Sequence, residues 1–123
     1  MPAHILLATC ENEREIIHSI LQRKKYQITV ASSIQGALSA LESEFFQLTL
    51  IDEDFESAGE GWALAKTIRR RFSLSLVILM LVWGSYRQYF DSPHFLSIAD
   101  WIMHFPVSEE EILGNVERFL RTN

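Results

Sequence analysis

Gln47-Leu48-Thr49-Leu50-Ile51-Asp52 is the stretch that decides how this chain folds. It is short, apolar and partly β-branched, and it stops on a carboxylate. That pattern predicts a buried strand with one charged residue at its C-terminal tip. Four further segments read the same way: Ile5-Leu6-Leu7-Ala8, the half-buried Tyr26-Gln27-Ile28-Thr29-Val30, the uniformly apolar Val77 to Val82, and Trp101-Ile102-Met103. Val77 to Val82 lacks any polar alternation, which places it centrally in a sheet covered on both faces.

The segments between them carry helical periodicity. Ile16, Ile17, Ile20 and Leu21 form one stripe, with Glu11, Glu13 and Glu15 loading the first turns where negative charge suits the helix dipole. Ser32 and Gln35 have capping-box spacing ahead of Ile34, Ala37, Leu38 and Leu41. A glycine-containing loop, Glu56 to Gly61, leads into a helix that turns Trp62, Ala65, Ile68 and Phe72 inward. Tyr86 to Phe95 is a weaker, irregular fourth helix, interrupted by Asp91-Ser92-Pro93. Ser108 and Glu111 form another capping box before a last stripe of Ile112, Leu113, Val116, Phe119 and Leu120.

This order is (βα)5, so residues 1–123 are expected to form a single α/β domain with a five-stranded parallel sheet and helices on both faces. Bulk properties agree. The chain has 123 residues, of which 48% are hydrophobic, enough for one core of ordinary size. Its net charge of −5 argues against a nucleic-acid surface. The basic clusters Lys24-Lys25 and Arg69-Arg70-Arg71 fall where helices should end, where they complement the dipole. The single cysteine, Cys10, excludes an intrachain disulfide and fits a reducing compartment. No charged segment followed by a long apolar run opens the chain, and Leu76 to Trp83 is too short to span a bilayer. A cytoplasmic location is the expectation.

Ligands of such sheets bind at the carboxyl ends of the strands. Here those ends present Thr9-Cys10, Asp52-Glu53-Asp54, Leu81-Val82 and His104.

Four pieces in order resemble the receiver domain of two-component response regulators: Leu48 to Asp52; Gly61-Trp62-Ala63-Leu64-Ala65-Lys66-Thr67-Ile68-Arg69; Val77 to Leu81 with Gly84; and Ala99-Asp100-Trp101-Ile102-Met103-His104 with Pro106. The resemblance covers essentially the whole chain and implies the doubly wound, flavodoxin-like topology. It implies that Asp52 corresponds to the aspartate that accepts a phosphoryl group from a histidine kinase. It places the two Mg²⁺-binding acidic residues on Ala8-Thr9 or on Thr9-Cys10, neither of which carries a carboxylate. The hydroxyl that contacts phosphate falls on Leu81, the lysine on His104, and the switch aromatic on Trp101. Phosphoryl transfer is chiefly positioning and charge neutralisation, so these replacements matter as much as the surviving aspartate.

The expectation is therefore a receiver-like domain with a degenerate phosphorylation site, not an enzyme, acting through protein–protein contacts. Its partners would be a histidine kinase, a phosphotransfer protein, an output domain or a second copy. A copy would dock on the face formed by the fourth helix (Tyr86–Phe95), the fifth strand and the last helix. No cofactor is expected; any Mg²⁺ would draw on Asp52 with Asp54 or Glu53 and on Glu11 or Glu13 from the first loop, with Asp52, Asp54 and Glu11 the leading set. Two alternatives stand beside this. One is a working phosphoreceiver using Asp52 and His104. The other is a small phosphotransfer or phosphatase enzyme using Cys10. The second is weakened because Cys10-Glu11-Asn12-Glu13-Arg14 has no glycine to cradle phosphate and two acids to repel it.

Overall fold

The computed structural model describes residues 3–72, 76–83 and 97–121. Five strands and four helices are named among them: β1 (His4–Ala8), α1 (Glu11–Gln22), β2 (Gln27–Val30), α2 (Ile34–Ser43), β3 (Leu48–Asp52), α3 (Glu60–Arg71), β4 (Val77–Trp83), β5 (Trp101–Phe105) and α4 (Glu109–Arg121). The predicted helix at Tyr86–Phe95, and Gly84 with it, lie outside the described residues.

The strands form one parallel sheet in the order β2-β1-β3-β4-β5. Each crossover between parallel strands needs a covering segment, and among the described residues α1, α2 and α3 supply it between β1 and β2, β2 and β3, and β3 and β4. β3, not β4, takes the middle position; β4 is fully apolar because both of its faces and both of its neighbours are covered. Residues of alternate parity feed two cores. Leu6, Ala8, Ile51, Ile78, Met80, Val82 and Ile102 pack with α2 and α3 on one face. Ile5, Leu7, Leu48, Leu50, Leu79, Leu81 and Met103 pack with α1 and α4 on the other.

The described helices follow their predicted stripes with three differences. Phe72 is the C-cap residue beyond α3, although it still packs against the core. Ile16 is 64% exposed, because the buried stripe of α1 is only Ile17, Ile20 and Leu21. The cap of α2 is Ser33, whose hydroxyl accepts the Gly36 amide (2.9 Å), one position beyond the Ser32–Gln35 pair. Ser108 does cap α4, accepting from the Glu111 amide (3.0 Å). Arg69, Arg70 and Arg71 occupy the last turn of α3, whereas Lys24 and Lys25 lie in the turn beyond α1. No described helix is long and apolar enough to cross a membrane.

The sheet therefore brings the ends of β1, β3, β4 and β5 to one edge of the domain. The register fixes which residues meet there: Asp52 pairs with Leu81, and Leu81 with Met103, while Val82 pairs with His104.

Candidate functional site

Asp52 ends the central strand and has no exposed surface. Its carboxylate is half satisfied. Oδ1 accepts the Asp54 amide (2.8 Å), whereas Oδ2 is buried without a hydrogen-bond partner. An orphaned carboxylate oxygen is costly, because burial removes water that nothing replaces. Loss of hydration pushes the Asp52 pKa upward, the Asp54 amide and the Cys10 thiol oppose that rise, and the charges of Glu13 and Asp54 add to it.

Cys10 closes the β1 connection and is the N-cap residue of α1. Its thiol donates to the Asp54 carbonyl (3.5 Å). Burial first, then the Asp52, Glu13 and Asp54 carboxylates, push the thiol up to about 12. Glu13 lies three residues on, on the same side of the first turn of α1, and its Oε2 is also buried without a partner. One ligand atom from each of Cys10, Glu13 and Asp52 lies within 4.8 Å of the others, the one such group among the described residues. Beside them the Thr9 hydroxyl is buried and unpartnered, and Arg14 reaches the Thr9 carbonyl through Nη2 (3.4 Å).

The other expected residues are placed as follows. Leu81 is fully buried next to Asp52, and the Glu53 amide donates to its carbonyl (2.9 Å). His104 is half-buried near the end of β5, one residue past the Leu81–Met103 pairing. Trp101 is 37% exposed, with the Arg118 guanidinium 4.7 Å from its ring centroid. Asp54 turns Oδ1 to the Gly59 amide (3.1 Å). Glu11 is exposed and stays outside the Cys10–Glu13–Asp52 group. Glu53 is committed elsewhere: its Oε2 accepts the Trp83 amide (2.7 Å), tying the ends of β3 and β4 together.

Gly61 also shapes the site. A side-chain carbon there would fall 1.9 Å from the Asp52 carbonyl oxygen, and its amide donates to the Glu53 carbonyl (2.8 Å). The start of α3 is thereby seated directly on the tip of β3. Gly59 precedes it at φ 77°, a conformation that favours glycine.

The donors at Asp52 do not suit the Mg²⁺ that the resemblance implies. Mg²⁺ takes oxygen ligands in near-octahedral geometry, and two carboxylates with a thiol are a different set.

Fold and topology are those of response regulator receiver domains. Among solved structures, the CheY-like receiver domain protein of Methanospirillum hungatei JF-1 is 20% identical at a TM-score of 0.81, over 99% of this chain and 96% of that one. A response regulator from Thermotoga maritima is 16% identical at a TM-score of 0.83, over 98% and 99%. NtrX from Brucella abortus is 20% identical at a TM-score of 0.84, over 99% of this chain but 27% of NtrX. No family model and no curated protein matches the sequence.

Proposed function

We propose that this chain is a receiver-like signalling domain in which Asp52 is no longer an efficient phosphoacceptor, and that it acts by binding other proteins. The observation that carries this reading is the surroundings of Asp52. The carboxylate has no exposed surface, its strand neighbour is the buried Leu81, and the charged group brought nearest by the first helix is the acidic Glu13. Phosphoryl transfer to a carboxylate needs an in-line approach and cations around the transferring group. This site offers an apolar wall and a second negative charge. Cys10 is no better as a nucleophile, since a thiol raised to about 12 is almost entirely protonated at neutral pH.

A protein-binding role is supported by the face of β5 and α4. Trp101 and Trp83 keep 37% and 41% of their surface exposed, Trp83 stacks on Phe105 (4.2 Å between centroids), and Arg118 covers both Trp101 and Phe119. Tryptophan and arginine at the surface are the residue types enriched where proteins meet. A kinase, a phosphotransfer protein, an output domain or a second copy of the chain would fit this chemistry.

The test is acetyl-phosphate labelling with Mg²⁺, read by intact mass. The expected result is no phosphate adduct. A Mg²⁺-dependent adduct that disappears in Asp52→Asn would sink the proposal and establish the second reading, a working phosphoreceiver with His104 in place of lysine. One observation favours that second reading: apart from the pull of the Cys10 thiol on the carboxylate, Oδ2 of Asp52 accepts no hydrogen bond.

A further inference from the structure

We propose that Cys10, Glu13 and Asp52 form a binding site for a thiophilic divalent cation of the Zn²⁺ class. A hard cation such as Mg²⁺ is not the ion this site is built for.

Three observations support this. First, the three ligand atoms come from two separate elements, the start of α1 and the tip of β3, and lie within 4.8 Å of one another. Tetrahedral Zn²⁺ places its ligands about 2.0–2.3 Å from the metal. Atoms already this close therefore need only small side-chain adjustments to converge on one ion. Second, the cluster is more than an accumulation of acidic residues. Asp52 has no exposed surface, and its Oδ2 lacks any hydrogen-bond partner; Oε2 of Glu13 is likewise buried and unpartnered. These orphaned carboxylate oxygens belong to two residues whose ligand atoms lie within 4.8 Å of each other, and a cation bound there would satisfy them. Third, the donor set selects the metal. One sulfur and two carboxylate oxygens make a borderline-soft site, which suits Zn²⁺, Co²⁺ or Cd²⁺. Three protein ligands would leave a fourth position to water.

Oδ1 of Asp52 is fixed by the Asp54 amide (2.8 Å), so the carboxylate is oriented and Oδ2 is left for a metal. Cys10 is the only cysteine of the chain, and its thiol proton would leave to solvent as the metal–sulfur bond forms. This inference stands apart from the phosphorylation reading, because metal binding is measured without any phosphodonor.

The experiment is titration of the intact, chelator-stripped protein with Co²⁺, followed by optical absorption and then by Zn²⁺ displacement. The expected result is one equivalent of Co²⁺ with a sulfur-to-cobalt charge-transfer band, abolished by Zn²⁺ and unaffected by excess Mg²⁺. Cys10→Ser should remove the band and weaken Zn²⁺ binding at least about tenfold, and Glu13→Gln, a half-exposed position, should weaken it similarly. Cys10→Asp supplies a third oxygen ligand and should shift preference from Zn²⁺ toward Mg²⁺. Cobalt or zinc uptake without the sulfur band would overturn the proposal, as would no uptake at all. Zinc affinity unchanged in Cys10→Ser would do the same.

Discussion

A carbon atom added at position 61 would have to share space with the Asp52 carbonyl, since only 1.9 Å separates them. The obstacle is backbone, which cannot rotate away as a side chain would. Gly61→Ala should therefore lift α3 off the tip of β3 and stretch the Gly61–Glu53 hydrogen bond. We expect a loss of about 2–4 kcal/mol, read as a lower denaturant midpoint with little change in slope. A midpoint within error of the parent would show that the α3–β3 junction is looser than the geometry requires. The neighbouring thiol gives a second outcome. Cys10 is raised from 9.0 to about 12, chiefly by burial and by Asp52. The thiolate fraction falls by about a thousandfold, and the higher nucleophilicity of a more basic sulfur recovers part of it. Alkylation of the native protein in chelator should be roughly 30-fold slower than that of a free cysteine, and Asp52→Asn should accelerate it. Alkylation at the free-cysteine rate would mean that the thiol is not enclosed by the acids around it.

The elements are joined at the opposite end of β4 by Arg69. From the last turn of α3 its guanidinium donates to the Ile98 carbonyl (2.7 Å), the Leu76 carbonyl (2.8 Å) and the Asp100 carboxylate (2.5 Å). Asp100 in turn accepts the Ile78 amide (2.8 Å). The side chain of Arg69 is 14% exposed, so its two carbonyl contacts are sheltered, whereas the Asp100 side chain is 36% exposed and the ion pair is partly screened by solvent. Arg69→Ala should cost about 2–3 kcal/mol, because two carbonyls lose a donor and a carboxylate loses its cation. Arg69→Lys should recover less than half of that, since one ammonium cannot reproduce a planar fork. Full recovery with lysine, in thermal or denaturant unfolding, would reduce the bracket to simple charge pairing. This junction was not visible in the sequence. Three consecutive arginines at a helix end read as dipole compensation, and nothing in the local pattern separates Arg69 from Arg70. Adjacent serines hid the α2 cap in the same way: Ser32 and Ser33 both precede a helical stripe, and only the chain direction into α2 chooses Ser33.

For the molecule as a whole, period-two and period-3.6 patterns specify the strand–helix alternation, because both sheet faces must be buried. They do not specify side-chain convergence at strand ends. Asp52 was legible because a carboxylate closing an apolar strand is conspicuous. Glu13 was harder to separate from Glu11, since both load the same helix turn, and only the rotational phase of α1 against the sheet puts Glu13 with Asp52 and leaves Glu11 exposed. That convergence affects the stability of the whole domain. In metal-free protein, burial raises the Asp52 pKa from its ordinary value of 3.8, with Glu13 and Asp54 adding to the rise and the Asp54 amide and Cys10 thiol opposing it. The folded state then holds this proton more tightly than the unfolded chain does. Asp52 consequently costs the fold nothing at pH values below 3.8, where both states are protonated. Its penalty grows as pH rises from there through the raised folded pKa, and stays constant above it. Asp52→Asn removes the titration but keeps a carbonyl oxygen for the Asp54 amide. In chelator it should raise Tm by several degrees at neutral pH, and the gain should shrink to nothing as the buffer is taken to acid. Thermal unfolding of both proteins across that pH range checks this. A gain independent of pH would assign it to packing, and a loss at neutral pH would mean that the buried charge is already neutralised.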